Sequence, residues 1–143
     1  MLWASLVRRV HDSASGTGFE TLSEAEKLYY AVGLVDGDVY NGGFDQYFFN
    51  SSGSFYAYAL RGLQFIGATQ SAQLLAQAKH ALFGDSPVPT DIAERRAYLR
   101  TLSLENPVLD SLDAQFWEDP DDLGSLMERF ANEHHLITPA DGA

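Results

Sequence analysis

Apolar side chains recur three and four residues apart along almost this whole chain, with no convincing run of alternating apolar and polar residues. Strands need that alternation, because successive side chains face opposite sides of a sheet. The pattern therefore restricts the chain to helices. Leu2, Trp3, Leu6, Val7 and Val10 mark a short opening helix. Ser23 and Glu26 have capping-box spacing, in which each side chain bonds the other's backbone N–H. The stripe that follows, Leu28, Tyr29, Val32, Val35 and Val39, stops at Asn41-Gly42-Gly43. Phe44, Tyr47 and Phe48 open another helix, which ends near Gly53.

Further stripes predict a helix over 54–67 that closes at Gly67, and one over 70–83 that ends at Gly84. Thr90 is placed to cap a helix running to about Leu102. Asn106 and Pro107 make a clean start, a capping amide before a proline whose missing N–H is harmless, for a helix through Trp117. The segment Asp119–Asp122 starts the last helix, with Leu123, Leu126, Met127, Phe130 and His134 facing inward. The expectation is an all-α bundle of six to eight short helices. A short N-terminal helix and flexible break occupy 1–18, the helical domain 19–137 and a tail 138–143. Asn41-Gly42 also suits a hairpin turn, but both of its flanks continue in helical period.

With 45 % hydrophobic residues, nine Phe, seven Tyr and two Trp, 143 residues can build a core without staples. Cysteine is absent, which excludes disulfides, thiolate metal sites and cysteine nucleophiles. No stretch approaches a membrane span, and the N-terminus lacks the charge-first pattern of a secretory signal, so a cytoplasmic location is expected. Catalytic motifs are absent as well: no nucleophile elbow, Walker loop or dinucleotide fingerprint occurs, and Gly16-Thr17-Gly18 lacks the third glycine. Glu133-His134-His135 is a poor metal site, because neighbours on a helix point about 100° apart. No enzymatic role, cofactor or metal is called for.

Charge is the more informative quantity. The net charge is −11, and residues 105–143 hold ten acidic side chains against one basic, Arg129. Such a field repels nucleic acid and membranes and attracts basic proteins. Asp119, Asp121 and Asp122 suit a helix start, where the dipole favours negative charge. Asp110, Asp113 and Glu118 have no such role, and Asp110 and Asp113 share a helix face about 5–6 Å apart. Together the six make a candidate partner-binding surface that can imitate a row of phosphates.

A second candidate is the elbow Asn41, Gly42, Gly43, Phe44, Asp45, Gln46, Tyr47 and Asn50, which sets amides and a carboxylate among aromatic rings. Its simplest role is to lock two helices together, and its alternative role is a small-molecule or peptide pocket.

The run Tyr40–Gly53 resembles the signature of the bacterial DNA-mimic-protein-like domain family. Ala59–Ala68, Pro89, Arg95 or Arg96, and Leu112–Trp117 are similar to that family's later pattern, so the likeness extends over residues 22–131. The resemblance implies a helical fold. For the named member it also implies binding to a DNA-binding regulator in place of DNA. The partner expected here is a basic protein such as a transcription factor. The alternatives are the elbow as a ligand-binding or hydrolytic site, or an immunity-type protein that neutralises a basic toxin. The oligomeric state stays open, a homodimer included.

Overall fold

The computed structural model describes residues 1–12 and 18–137, and these form eight α-helices with no strand among the described residues. They are α1 (Leu2–His11), α2 (Glu24–Gly42), α3 (Phe44–Phe49), α4 (Tyr56–Phe65), α5 (Thr69–Phe83), α6 (Ile92–Leu99), α7 (Pro107–Trp117) and α8 (Leu123–Glu133). Short 3-10 turns at Gly18–Thr21 and Ser51–Phe55 lead into α2 and α4. The break expected over 13–17 and the tail at 138–143 lie outside the described residues.

α2 is the central post. Its apolar stripe is bounded by the expected capping box, with Ser23 accepting from the Glu26 N–H and Glu26 accepting from that of Ser23. α4, α3, α1, α7 and α8 all pack around it. Val32, Val35 and Val39 are fully buried against Phe44, Phe48, Leu63 and Phe116 from three neighbouring helices. Close packing of α4 depends on Gly62, where a Cβ would come within 2.7 Å of Val32 Cγ2 and 3.1 Å of the Leu28 carbonyl. A smaller cluster of Leu6, Phe19, Leu22 and Tyr30 docks α1, with Trp3 stacked on Tyr30 at 5.3 Å between ring centres.

Four boundaries differ from expectation, the first being the end of α3 at Phe49 rather than near Gly53. The helix expected over 54–67 begins at Tyr56, because Ser51–Phe55 forms a tighter turn first. Asp91 rather than Thr90 caps α6, accepting from the Ala93 N–H at 3.0 Å, and α6 ends at Leu99. The Thr90 carbonyl is instead used by Ser54 and Arg95. The hairpin alternative at Asn41-Gly42 fails, since both residues are the last of α2. His134 lies exposed past the end of α8, its ring 4.3 Å from that of Phe130.

Candidate functional site

α7 buries Leu109, Leu112 and Phe116 and turns Asp110, Ser111, Gln115 and Glu118 to solvent. The six acids of the expected surface do not behave alike. Asp113 is buried rather than free on the surface: it is only 8 % exposed and accepts from the Phe44 N–H at 2.8 Å. The reason lies in α3, whose first residue is preceded by Gly43, a residue with no side chain to cap the free N–H groups. Asp113 supplies that cap from 69 residues away. Burial pushes its carboxyl up, the Phe44 N–H opposes this, and the charges of Asp45 and Asp110 push it further up.

Asp121 also caps a foreign helix. It accepts from the Ser71 N–H at 2.6 Å and the Gln70 N–H at 3.4 Å at the start of α5, which has no cap of its own. Asp119 serves α8, accepting from the Leu123 N–H at 3.0 Å, and Asp122 accepts from the Ser125 hydroxyl at 2.9 Å. Among the described residues, Asp110 and Glu118 take no hydrogen bond on their carboxylates, and both are exposed.

The structure adds acids that sequence spacing could not connect. Asp36, two-thirds of the way along α2, lies near Asp119; burial raises its carboxyl above the ordinary range and the Asp119 charge raises it further. Burial raises the Tyr29 hydroxyl, and Asp36 with Glu128 of α8 adds to that shift. Half-exposed Tyr40 and Trp117 stand in the same neighbourhood and tie α2 to α7. The Trp117 indole donates to the Val39 carbonyl at 2.7 Å, and the Tyr40 hydroxyl donates to that of Phe116 at 3.4 Å. The C-terminal end of α7 is therefore an acidic pole with aromatic faces.

The raised Asp36 carboxyl sets a direction for stability. The folded state holds that proton more tightly than the unfolded chain, so a penalty develops as pH rises through the ordinary carboxylate range and the raised folded value. Asp36→Asn is expected to raise stability at neutral pH by a few tenths of a kcal/mol, as for relief of one like-charge pair. The gain should fade as pH falls, and thermal melts across pH check it.

The elbow is built around two residues that the expected site left out. Asp38 accepts from the Gln46 amide at 3.1 Å, the Asn50 amide at 3.3 Å and the Ser52 hydroxyl. Asn41 donates to Gln46 at 3.1 Å, which completes the chain of amides. Arg95, fully buried, donates to the Phe48 carbonyl at 2.6 Å, the Asn50 carbonyl at 2.7 Å and the Pro89 carbonyl at 2.7 Å. Arg96 takes the Phe49 carbonyl at 2.7 Å. The free carbonyls at the end of α3 are thus held by guanidiniums and its free N–H by a carboxylate. Phe44 and Tyr47 are core residues, whereas Asp45 is exposed and bonds its carboxylate to the Gln46 N–H at 2.8 Å.

Gly43 has φ +94°, and a Cβ there would stand 2.5 Å from Asp113 Oδ2. Gly43→Val is expected to lower stability by roughly 1–3 kcal/mol, through the strained backbone and the displaced cap. The urea midpoint measures this.

Beside the elbow lies a cavity of about 430 Å³, bordered by Asp45, Phe49 and Asn50 on α3 and its end, the chain from Leu99 to Asn106, and Asp110 and Asp113 of α7. No group of three or more metal-ligating side chains is found among the described residues. No helix there is long and apolar enough to cross a membrane. The sequence model of the DMP19-like protein family matches residues 20–134, from the 3-10 turn before α2 to just past α8. No curated protein and no solved structure matches the chain.

Proposed function

The chain belongs to the DMP19-like protein family, and on that premise we propose that it is a DNA mimic, a non-enzymatic acidic domain that occupies the DNA-binding surface of a basic regulator. The observation that carries this reading is the acidic pole at the end of α7. There Asp36 of α2, Asp119 of the turn after α7 and Glu128 of α8 gather about Tyr29 and Tyr40, with Trp117 beside Tyr40 and Glu118 and Asp122 on the same turn as Asp119. Fixed carboxylates offer a partner's Lys and Arg side chains the same charge-assisted hydrogen bonds that phosphates do. Half-exposed aromatics add the contact area that anchors protein interfaces.

Asp110 extends the acids toward the other end of α7, about 12 Å from Glu118 by helix rise, close to the width of a DNA major groove. The net charge of −11 turns the domain away from DNA itself and toward the proteins that bind it. Such a partner would be met in the cytoplasm.

The test is capture from native lysate on the immobilised full chain, elution along a salt gradient, and identification by mass spectrometry. A DNA-binding protein that elutes as salt rises is the expected result, since screening and counterion release act on the same contacts. Capture of a basic nuclease or other toxin would point to the immunity role. A partner whose retention ignores salt would remove the acidic pole from the mechanism.

A further inference from the structure

We propose that the cavity between α3, the segment after α6 and the first turns of α7 is an anchoring pocket for one arginine side chain of the basic partner. The inference rests on the reading of this chain as a binder of basic proteins, and it adds a defined contact at the opposite end of α7 from the acidic pole. The cavity, about 430 Å³, has apolar walls from Phe49, Leu99, Leu102 and Leu109. Asp45, Asp110 and Asp113 also line it. Against these three carboxylates stands one cation, Arg100, which is exposed and sits over the Phe49 ring at 5.4 Å. Among the described residues none of the four forms an ion pair.

Asp113 is the decisive group. Its Oδ1 accepts from the Phe44 N–H, but its Oδ2 accepts nothing among the described residues, although the residue is only 8 % exposed. That oxygen keeps contact with solvent and stands open to a charged donor that enters the cavity. Burial and the charges of Asp45 and Asp110 already hold the Asp113 carboxyl up, which a guanidinium would reverse.

Arginine fits better than lysine for two reasons. Its planar fork can bond two acceptors at once and is less strongly hydrated than an ammonium. Its aliphatic stem can lie along leucine walls while the head reaches the carboxylates.

The test uses the full chain, labelled for amide NMR, and the blocked tripeptide acetyl-Leu-Arg-Leu-amide as probe, with a citrulline version that keeps the shape and removes the charge. Saturable shifts confined to residues 45–50 and 99–113 are expected. The citrulline peptide should bind roughly tenfold more weakly, the loss typical of one hydrogen bond to a charged group. The double variant Asp45→Asn with Asp110→Asn, both exposed positions, should weaken the arginine peptide comparably while the rest of the spectrum stays unchanged. Absence of saturable shifts, equal binding of both peptides, or shifts centred on Asp36 and Glu118 would each overturn the pocket. The last of these would leave the acidic-pole reading standing. Conversely, peptide binding at the pocket with no salt-sensitive basic partner in lysate would keep the site and remove that reading.

Discussion

Replacing Arg95 with leucine is expected to cost about 3–5 kcal/mol, because three carbonyls lose their charged donor at roughly 1–3 kcal/mol each. That is a large share of the 5–15 kcal/mol that holds a typical domain together. The guanidinium is fully buried and bonds carbonyls of three segments, the end of α3, the turn that follows it, and the loop before α6. Leucine would leave the Phe48, Asn50 and Pro89 carbonyls without this donor, each at roughly 1–3 kcal/mol where it stays dry. Loss of the buried charge offsets part of that sum. Lysine should rescue little, because a single ammonium cannot reach three separated carbonyls as the fork does. Urea unfolding of the three proteins measures the effect, and a midpoint for Arg95→Leu close to the parent's would show that the carbonyls find other donors.

The second large effect concerns binding. The variant Glu118→Gln, Asp119→Asn, Asp122→Asn and Glu128→Gln removes four charges and keeps acceptor oxygens for the bonds that Asp119 and Asp122 make. At about 0.5 kcal/mol per exposed charge the complex should weaken by ~2 kcal/mol, or about 30-fold, with little change in melting. The slope of affinity against salt should flatten as well. Asp113→Ala and Asp121→Ala should instead act on stability. These two carboxylates cap α3 and α5, so their loss should lower stability by about 0.5–2 kcal/mol each. Calorimetry of binding and thermal melts separate the two groups. Equal behaviour of all six positions would contradict the division of the acids into a surface and a set of caps.

That division also shows where sequence reasoning reached its limit. Helix identity was legible because it is local: the Ser23–Glu26 box, the Asn106-Pro107 start and the three-and-four stripes all act within a few residues. The stop at Gly43 was legible for the same reason, a residue free to take φ +94°. The burial of Asp113 was not legible, because its neighbour Asp110, three residues earlier, lies exposed, and spacing alone cannot tell which of the two faces the end of α3. Asp121 has helix-start character, but the N–H groups it satisfies belong to α5, fifty residues away. Asp36 and Asp38 belong to the stripe-poor side of α2 and gain meaning only through Asp119 and through the amides of the elbow. Arg95 carried the one usable hint, a cation in the family-like pattern. Its partners are carbonyls, which any sequence supplies everywhere and which therefore leave no mark.

The claim that this domain takes the place of DNA is tested most directly by competition. The captured partner, bound to the full chain, is titrated with the partner's own duplex DNA while fluorescence anisotropy follows a label on the duplex. The account predicts mutually exclusive binding: duplex and chain displace one another at ratios set by their separate affinities, and the chain alone leaves the duplex signal unchanged. A ternary complex, with the duplex bound at full affinity while the chain remains attached, would contradict it.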